Sequence, residues 1–329
     1  VAEVALLRLM QVGQQRPGRA HGRRRLIGRF APSPSGRMHL GNVFSALLAW
    51  LSVRSAGGKM ILRIEDLDPD RCRPEYAAQL RRDLEWLGLD WDEEQTPQSQ
   101  RTEAYAEAFA RLDTYPCYCS RNELHAASAP HASDGAVIYA GTCRDLTAAE
   151  RAAKTRRPAW RVRVPDEEVS FVDGLQGEVR ENLARECGDF ILRRSDGVYA
   201  YQLAVVVDDA AGGVTEIVRG ADLLRSTPRQ LWLQTQLGLP HPHYYHVPLL
   251  CAPDGRRLSK REHDLDLGVL RQTLTAGQLL GKLAFLAGLL DRPEAASAAE
   301  LTRDFTTFKS AVYKPVSSLV PVETTVKVS

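Results

Sequence analysis

The 329-residue chain carries 43 Lys and Arg against 41 Asp and Glu, a formal net charge of +2, with 44% hydrophobic and 26% charged residues. That balance is ordinary for a globular protein of one large or two modest domains, and it argues against a nucleic-acid coat spread over the whole surface while permitting local basic patches. No apolar run approaches the ~20 residues of a membrane helix, and six cysteines are too few for a disulfide scaffold; a cytoplasmic protein without a membrane partner is expected.

Residues 1–24 read as a basic, flexible extension: the stretch 13–29, "GQQRPGRAHGRRRLIGR", holds six arginines and no acid. A transit segment, a flexible arm and an overextended start all have this composition. "RRLIGRFAP" predicts a short strand ended by proline. "MHLGNVFSALLAWLSVRSAGG" predicts a helix, with Val43, Leu47, Leu48 and Leu51 on one face and Gly57-Gly58 ending it. "KMILRIEDLD" is a second strand that turns abruptly acidic. The β-α-β order predicts a parallel sheet with crossover helices. Helices follow in "RPEYAAQLRRDLEWLGL" and from Arg101 to Leu112.

From Tyr115 to about Arg157, cysteine, histidine and small polar residues replace clean periodicity, the character of an insertion. A sheet pattern resumes over "PAWRVRVP", "EVSFVDGLQGEV" and "GDFILRRSDGVYAYQLAVVVDDAAGGVTEIVRG". "DLLRSTPRQLWLQTQLG" reads as helix, "HYYHVPLL" as strand, "DGRRLSKRE" as a basic loop and "LTAGQLLGKLAFLAGLL" as a helical finish; residues 305–329 read as a tail. The expected organisation is 25–114 and 158–264 as two halves of a catalytic domain, 115–157 as the insertion and 265–304 as a short helical subdomain.

The stretch "RFAPSPSGRMHLGN" places small residues, two stiffening prolines and His39 just before a helix. A helix start offers unpaired N–H groups and a positive dipole end, and small residues let an anion approach the backbone. The spacing is not that of a P-loop. A capped turn with an incidental surface histidine has the same composition. Ser259, Lys260 and Arg261 of the second basic loop are likewise compatible with a solvated charge run.

Taken together, His39-Leu40-Gly41-Asn42 and Arg257-Leu258-Ser259-Lys260-Arg261 resemble the two nucleotide signatures of class I aminoacyl-tRNA synthetases, usually His-Ile-Gly-His and Lys-Met-Ser-Lys-Ser. The resemblance implies an α/β, Rossmann-like class I catalytic domain with a parallel sheet, and ATP held by His39, Gly41, Asn42, Ser259 and Lys260 above the strand ends. His39, Asn42 and Lys260 are the implied catalytic residues, Lys260 facing the charge that develops on pyrophosphate. Asn42 stands where a second histidine is usual, and Arg257 and Arg261 replace a lysine and a serine. "RFAPSPSG", "RIEDLD", "YQLAVVVDD" and "VTEIVRGADLL" resemble the glutamyl branch. On that resemblance Arg29, Phe30, Ala31, Pro32, Ser33, Glu65, Tyr201 and Arg219 bind L-glutamate: the arginines grip carboxylates, Glu65 the ammonium. Mg2+ accompanies ATP on its phosphates. Asp66 and Asp68 are candidate ligands ranked below a turn role.

Cys117-x-Cys119 and Cys143 suit a structural zinc site, which wants a fourth ligand. Chemistry alone favours His131 or His125. The arrangement, however, is similar to the Cys-x-Cys…Tyr-x-x-x-Cys site of the glutamyl-queuosine tRNA(Asp) synthetases, which implies Cys117, Cys119, Tyr139 and Cys143 around Zn2+. Cys72, Cys187 and Cys251 read as ordinary thiols. Only 69 residues follow Lys260, fewer than an anticodon-reading domain of ~100 residues needs. That family activates glutamate without tRNA and transfers it to queuosine at the wobble position of tRNA(Asp), and the same is expected here, by a monomer. Arg151, Lys154, Arg156, Arg157, Arg161 and Arg163 are candidates for a phosphate path, or for a solvated face. The alternatives are a truncated glutamyl-tRNA synthetase that charges the 3′ end, and a non-catalytic RNA-binding module.

Overall fold

The computed structural model describes residues 25–120, 138–250 and 266–306. In chain order the elements are β1 (Ile27–Phe30), α1 (Leu40–Ser55), β2 (Lys59–Leu62), α2 (Pro74–Leu87), β3 (Glu93–Glu94), α3 (Thr102–Ala110), β4 (Thr114–Cys117), α4 (Ala148–Ala152) and β5 (Ala159–Val162). There follow β6 (Glu168–Asp173), β7 (Gly177–Asn182), α5 (Leu183–Glu186), β8 (Ile191–Arg193), α6 (Tyr201–Ala211), β9 (Glu216–Gly220) and α7 (Thr227–Leu237). Last come β10 (His243–Val247), α8 (Leu267–Thr273), α9 (Ala276–Leu286) and α10 (Ala298–Asp304). No described helix is long and apolar enough to cross a membrane.

The chain divides into two compact units. One, built from the described residues within Gly22–Gln95, Val214–Leu224 and His243–Ser329, is parallel. In it β1 pairs with β2, β2 with β3, and β9 with β10, all parallel. The Thr215 amide donates to the Ile27 carbonyl at 2.8 Å, and the Ile27 amide to Thr215 Oγ1 at 2.9 Å, so β9 runs beside β1. The strand order is β10-β9-β1-β2-β3, as the β-α-β pattern predicts. Helix α1 packs on β1, β2 and β9 and also meets α10. That explains its sequence: Val43, Phe44 and every residue from Ala46 to Val53 are buried, so apolar residues surround it rather than form one stripe. Buried Ser52 reaches from α1 to the Glu216 carboxylate at the start of β9.

The other unit, with described residues within Thr96–Gly213 and Arg225–Pro242, is antiparallel: β4-β5-β8 form one sheet and β6-β7 a hairpin. Residues 201–211, placed by sequence within a run of strands, form helix α6 instead. Val205 and Val206 favour strands only where a pleated surface receives them. Here Leu203–Val206 are fully buried, and Asp208 anchors the helix by accepting from Gln98 Nε2 (2.8 Å), Arg101 Nε (2.6 Å) and the Tyr105 hydroxyl (2.8 Å). Tertiary packing overrides the β-branched propensity.

Candidate functional site

The parallel unit collects buried charge at the C-terminal ends of its strands. Arg29 lies in β1 and Arg219 at the equivalent end of neighbouring β9; both are buried. Beyond β1 and β2 the ladder continues: the Arg63 amide donates to the Phe30 carbonyl (2.9 Å) and the Glu65 amide to the Pro32 carbonyl (3.0 Å). Glu65 is thereby set beside Pro32 and exposed Ser33, with Ala31 and Phe30 half-buried in the same loop. Glu65 is itself buried, and its Oε1 takes a hydrogen bond from NH2 of fully buried Arg63 at 3.0 Å. Arg29 and Arg219 in β1 and β9, with the Arg63–Glu65 ion pair just beyond β2, put charge of both signs at three adjacent strand ends, the grouping a ligand bearing both signs of charge would require.

His39 is the N-cap of α1, with extended backbone. Its amide donates to Asn42 Oδ1 at 3.2 Å, so Asn42 closes one half of a capping box. A Cβ on Gly41 would stand 3.2 Å from the His39 ring, which is why the smallest residue sits there. Ser259 and Lys260 lie outside the described residues, but the chain that follows them does not. Asp266 bridges to His39 in antiparallel fashion, and the Leu267 amide donates to the Met38 carbonyl at 3.0 Å. Asp266 and Leu267 are thus tied to the histidine turn. Asp68 accepts from the Asp70 amide (3.2 Å) and from Arg71 Nε (2.9 Å), the turn role expected of it. Tyr201 begins α6 in the antiparallel unit.

The antiparallel unit holds the sulfur cluster. The Sγ atoms of Cys117, Cys119 and Cys143 all lie within 4.8 Å of one another, and Cys119 and Cys143 are 3.6 Å apart. Tetrahedral zinc with Zn–S near 2.3 Å needs sulfur separations of about 3.8 Å, so the donor set fits. The Tyr139 hydroxyl stands 3.6 Å from Cys117 Sγ and accepts the Cys143 amide at 2.7 Å. His125 and His131 lie outside the described residues, as does Cys251. All described cysteines are free thiols. Burial alone would raise the Cys117 thiol, but hydrogen bonds from the Cys119 amide and Arg161, with the Arg161 charge, hold it below its ordinary value. Burial and the neighbouring sulfurs push Cys119 up to about 12. Burial raises Cys187, which lies outside the cluster, also to about 12.

Sequence reasoning missed the groups that hold these side chains. Arg161 is buried: its Nε donates to Cys117 Sγ at 3.2 Å, its NH1 to the Asp189 carbonyl at 2.6 Å, and it covers the Tyr139 ring at 3.7 Å. Arg163 pairs with Asp145 at 3.2 Å and covers the Tyr115 ring. Neither lines an open phosphate path, whereas Lys154, Arg156 and Arg157 are exposed. Strand alternation would not have found Arg161: in β5 both Arg161 and the adjacent Val162 are buried, and no local pattern marks the arginine.

A five-stranded parallel sheet with a histidine turn opening its crossover helix defines the class. The family of tRNA synthetases class I (E and Q), catalytic domain, matches residues 25–288, and the chain belongs to it. More particularly, the chain is 52% identical over 280 residues to the Glutamyl-Q tRNA(Asp) synthetase of Nitratidesulfovibrio vulgaris, covering 80% of this chain and 86% of that one. It is 51% identical over 295 residues to the protein of the same name from Symbiobacterium thermophilum, covering 84% and 91%. A glutamate tRNA ligase from Elizabethkingia meningosepticum, solved in complex with its amino acid, matches with a TM-score of 0.74 at 26% identity; this chain covers 66% of that one. The family and the α/β class I fold expected from the motifs are borne out.

Proposed function

We propose that the protein activates L-glutamate with ATP to glutamyl-adenylate without RNA, and transfers the glutamyl group to queuosine in tRNA(Asp). The observation that carries this is the cradle of Arg29, Arg219 and Glu65 at adjacent strand ends, in a chain about half identical to proteins named for that reaction. An α-amino dicarboxylate presents two anions and one cation. The two guanidiniums answer the carboxylates and Glu65 the ammonium. Phe30, Ala31, Pro32 and Ser33 form the wall beside Glu65, with Ser33 a further donor, and Tyr201 is the remaining glutamate residue.

In the first step a carboxylate oxygen of glutamate attacks the α-phosphorus of ATP. The bond to the β-phosphate oxygen breaks and pyrophosphate leaves with the electron pair. The backbone N–H groups at the start of α1, with His39, Gly41, Asn42, Ser259 and Lys260, hold the phosphates, and Lys260 meets the charge growing on the leaving group. Mg2+ bound with ATP would supply charge neutralisation at the phosphates. In the second step a hydroxyl of queuosine attacks the glutamyl carbonyl, an ester forms, and AMP leaves. No enzyme nucleophile takes part; positioning and charge supply the rate.

Residues 115–157 serve as a structural insertion, with Cys117, Cys119, Tyr139 and Cys143 as the residues that would hold Zn2+; a zinc ion there would supply a structural cross-link between the two sides of the insertion. Residues 265–304 serve as a short helical subdomain, and the enzyme works as a cytoplasmic monomer. The test is transfer of labelled glutamate, with ATP, to tRNA(Asp) carrying or lacking queuosine. Label on the queuosine form alone is expected. Equal label on both, or label on tRNA(Glu), overturns the proposal in favour of 3′-end charging.

A further inference from the structure

We propose that His246 is a positioning residue for glutamate: its neutral imidazole fixes the guanidinium of Arg219. The inference rests on the reading of Arg219 as a carboxylate-binding group. The two residues stand opposite each other in the parallel register of β9 and β10. Arg219 Nε donates to His246 Nε2 at 3.0 Å. His246 is fully buried and Arg219 is 4% exposed. The Tyr244 ring, two residues earlier on the same face of β10, stacks on the His246 ring with 5° between planes and 6.0 Å between centroids. The Arg219 guanidinium stands 5.2 Å from the same Tyr244 ring.

This geometry constrains three things. First, an Nε–H donor needs a lone pair opposite it, so His246 carries its proton on Nδ1 and is uncharged. An imidazolium would set N–H against N–H between two cations. Second, with Nε–H directed at the imidazole, a carboxylate gripped by two parallel hydrogen bonds meets the NH1/NH2 edge of the fork. Third, the guanidinium plane cannot swing about its long side chain, because the imidazole fixes one edge and the Tyr244 face limits the tilt. An arginine held this way loses less freedom when the ligand binds. The role assigned to His246 is to hold Arg219, so its effect belongs in glutamate binding.

The experiment is ATP–pyrophosphate exchange without RNA, with KM measured separately for glutamate and ATP, on the wild type, His246→Leu, His246→Gln and Arg219→Lys. His246→Leu removes the acceptor and is expected to raise the glutamate KM by about tenfold or more, the scale for a lost hydrogen bond to a charged group, with the ATP KM within about twofold. His246→Gln returns an oxygen acceptor near Nε2 and is expected to recover glutamate KM to within about threefold of wild type. A structural role alone predicts a different result: both variants lose melting temperature and kcat together, with no glutamate-specific term. That outcome, or a His246→Leu enzyme with unchanged glutamate KM beside an impaired Arg219→Lys enzyme, overturns the role of His246 and leaves Arg219 as read. An Arg219→Lys enzyme with unchanged glutamate KM overturns the reading of Arg219 itself.

Discussion

In the parallel unit, the chemistry-bearing side chains are spaced by strand register. Arg29, Glu65 and Arg219 come from three adjacent strand ends, and backbone hydrogen bonds between Phe30 and Arg63, and between Pro32 and Glu65, set their separation. In the antiparallel unit, Cys119 and Cys143, 24 residues apart in sequence, bring their sulfur atoms to 3.6 Å. There, side chains act as the frame: Arg161 bonds Cys117, and Asp189 accepts from the Tyr115 hydroxyl (2.6 Å), the Val164 amide (2.8 Å) and the Arg144 guanidinium. The first arrangement survives the loss of one side chain, because register remains. The second rests on contacts between side chains.

The strongest way to break that contrast is to remove a sulfur. Cys143→Ser is expected to drop zinc content from about one per chain to near zero, with the melting temperature falling by roughly 10 °C or more, given the affinity of structural zinc sites. Cys187→Ser, a buried thiol outside the cluster that donates to the Leu183 carbonyl, is expected to retain the metal. Metal analysis and calorimetry on the two proteins decide it. Equal zinc in both would mean that the cluster is an ordinary buried thiol group.

The next effect sharpens the role of Tyr139. Gly188 has a φ of +65°, and a Cβ built on it would stand 2.3 Å from the Tyr139 carbonyl. Gly238, in the same unit, has a φ of +64° with open space around it. Gly238→Ala therefore reports the conformational cost alone, about 1 kcal/mol. Gly188→Ala adds a backbone clash and is expected to cost roughly 2–4 kcal/mol, with weaker zinc retention because Tyr139 is displaced. Denaturant unfolding of both variants measures the difference. If the two cost the same, the Gly188–Tyr139 contact has no bearing on the cluster.

How much of this was legible beforehand follows from the same contrast. The strand-loop-helix at 27–55 and the strand β2 with the acidic stretch after it were visible because short-range signals coincide: apolar period, prolines, and glycines after the helix. The three cysteines were visible because few residues other than ligands cluster so. Helix α6 was misread because its valines carry a local preference that only burial reverses. Arg161 was read as basic surface because its partners, Cys117 and the Asp189 carbonyl, lie 44 and 28 residues away. His246 had no sequence signal at all: a histidine on a strand gains meaning only from what stands opposite it. Asn42 shows the converse, a departure from the usual motif that the structure uses as a helix cap.

A smaller effect concerns the basic surface. The guanidinium ends of Arg157 and Arg193 both close on the turn at Gly197, lying 3.5 and 3.8 Å from where a Cβ would stand there. Arg193 is half-buried, its Nε donating to the Gly197 carbonyl at 3.1 Å and its guanidinium covering the Tyr199 ring, so the exposed charge of Arg157 is the one presented to a phosphate. Arg157→Ala is expected to raise the KM for tRNA in the transfer assay several-fold and to reduce the slope of log affinity against log salt by about one. An unchanged salt slope would return Arg157 to a merely solvated role.

The smallest effect tests how little the register-held unit depends on any one charge. Arg54, in the last turn of α1, donates from NH1 to Asp92 Oδ2 at 2.7 Å, and the Met60 amide donates to the same oxygen at 2.7 Å. Burial alone would raise the Asp92 carboxyl; the amide and the Arg54 charge outweigh it and hold it below its ordinary 3.8. A depressed folded value stabilises the fold above about pH 3.8, and the contribution disappears as pH falls through the folded value. The carboxylate is 34% exposed, so solvent screening limits the gain. Asp92→Asn is accordingly expected to cost less than about 1 kcal/mol at pH 7, and its melting curve to converge with that of the wild type as pH falls through the lowered folded value. A gap that persists once the folded carboxyl is protonated would assign the stabilisation to shape rather than charge. A gap of several kcal/mol at pH 7 would show that the parallel unit, like the sulfur cluster, hangs on single side chains, and the contrast between the units would fail.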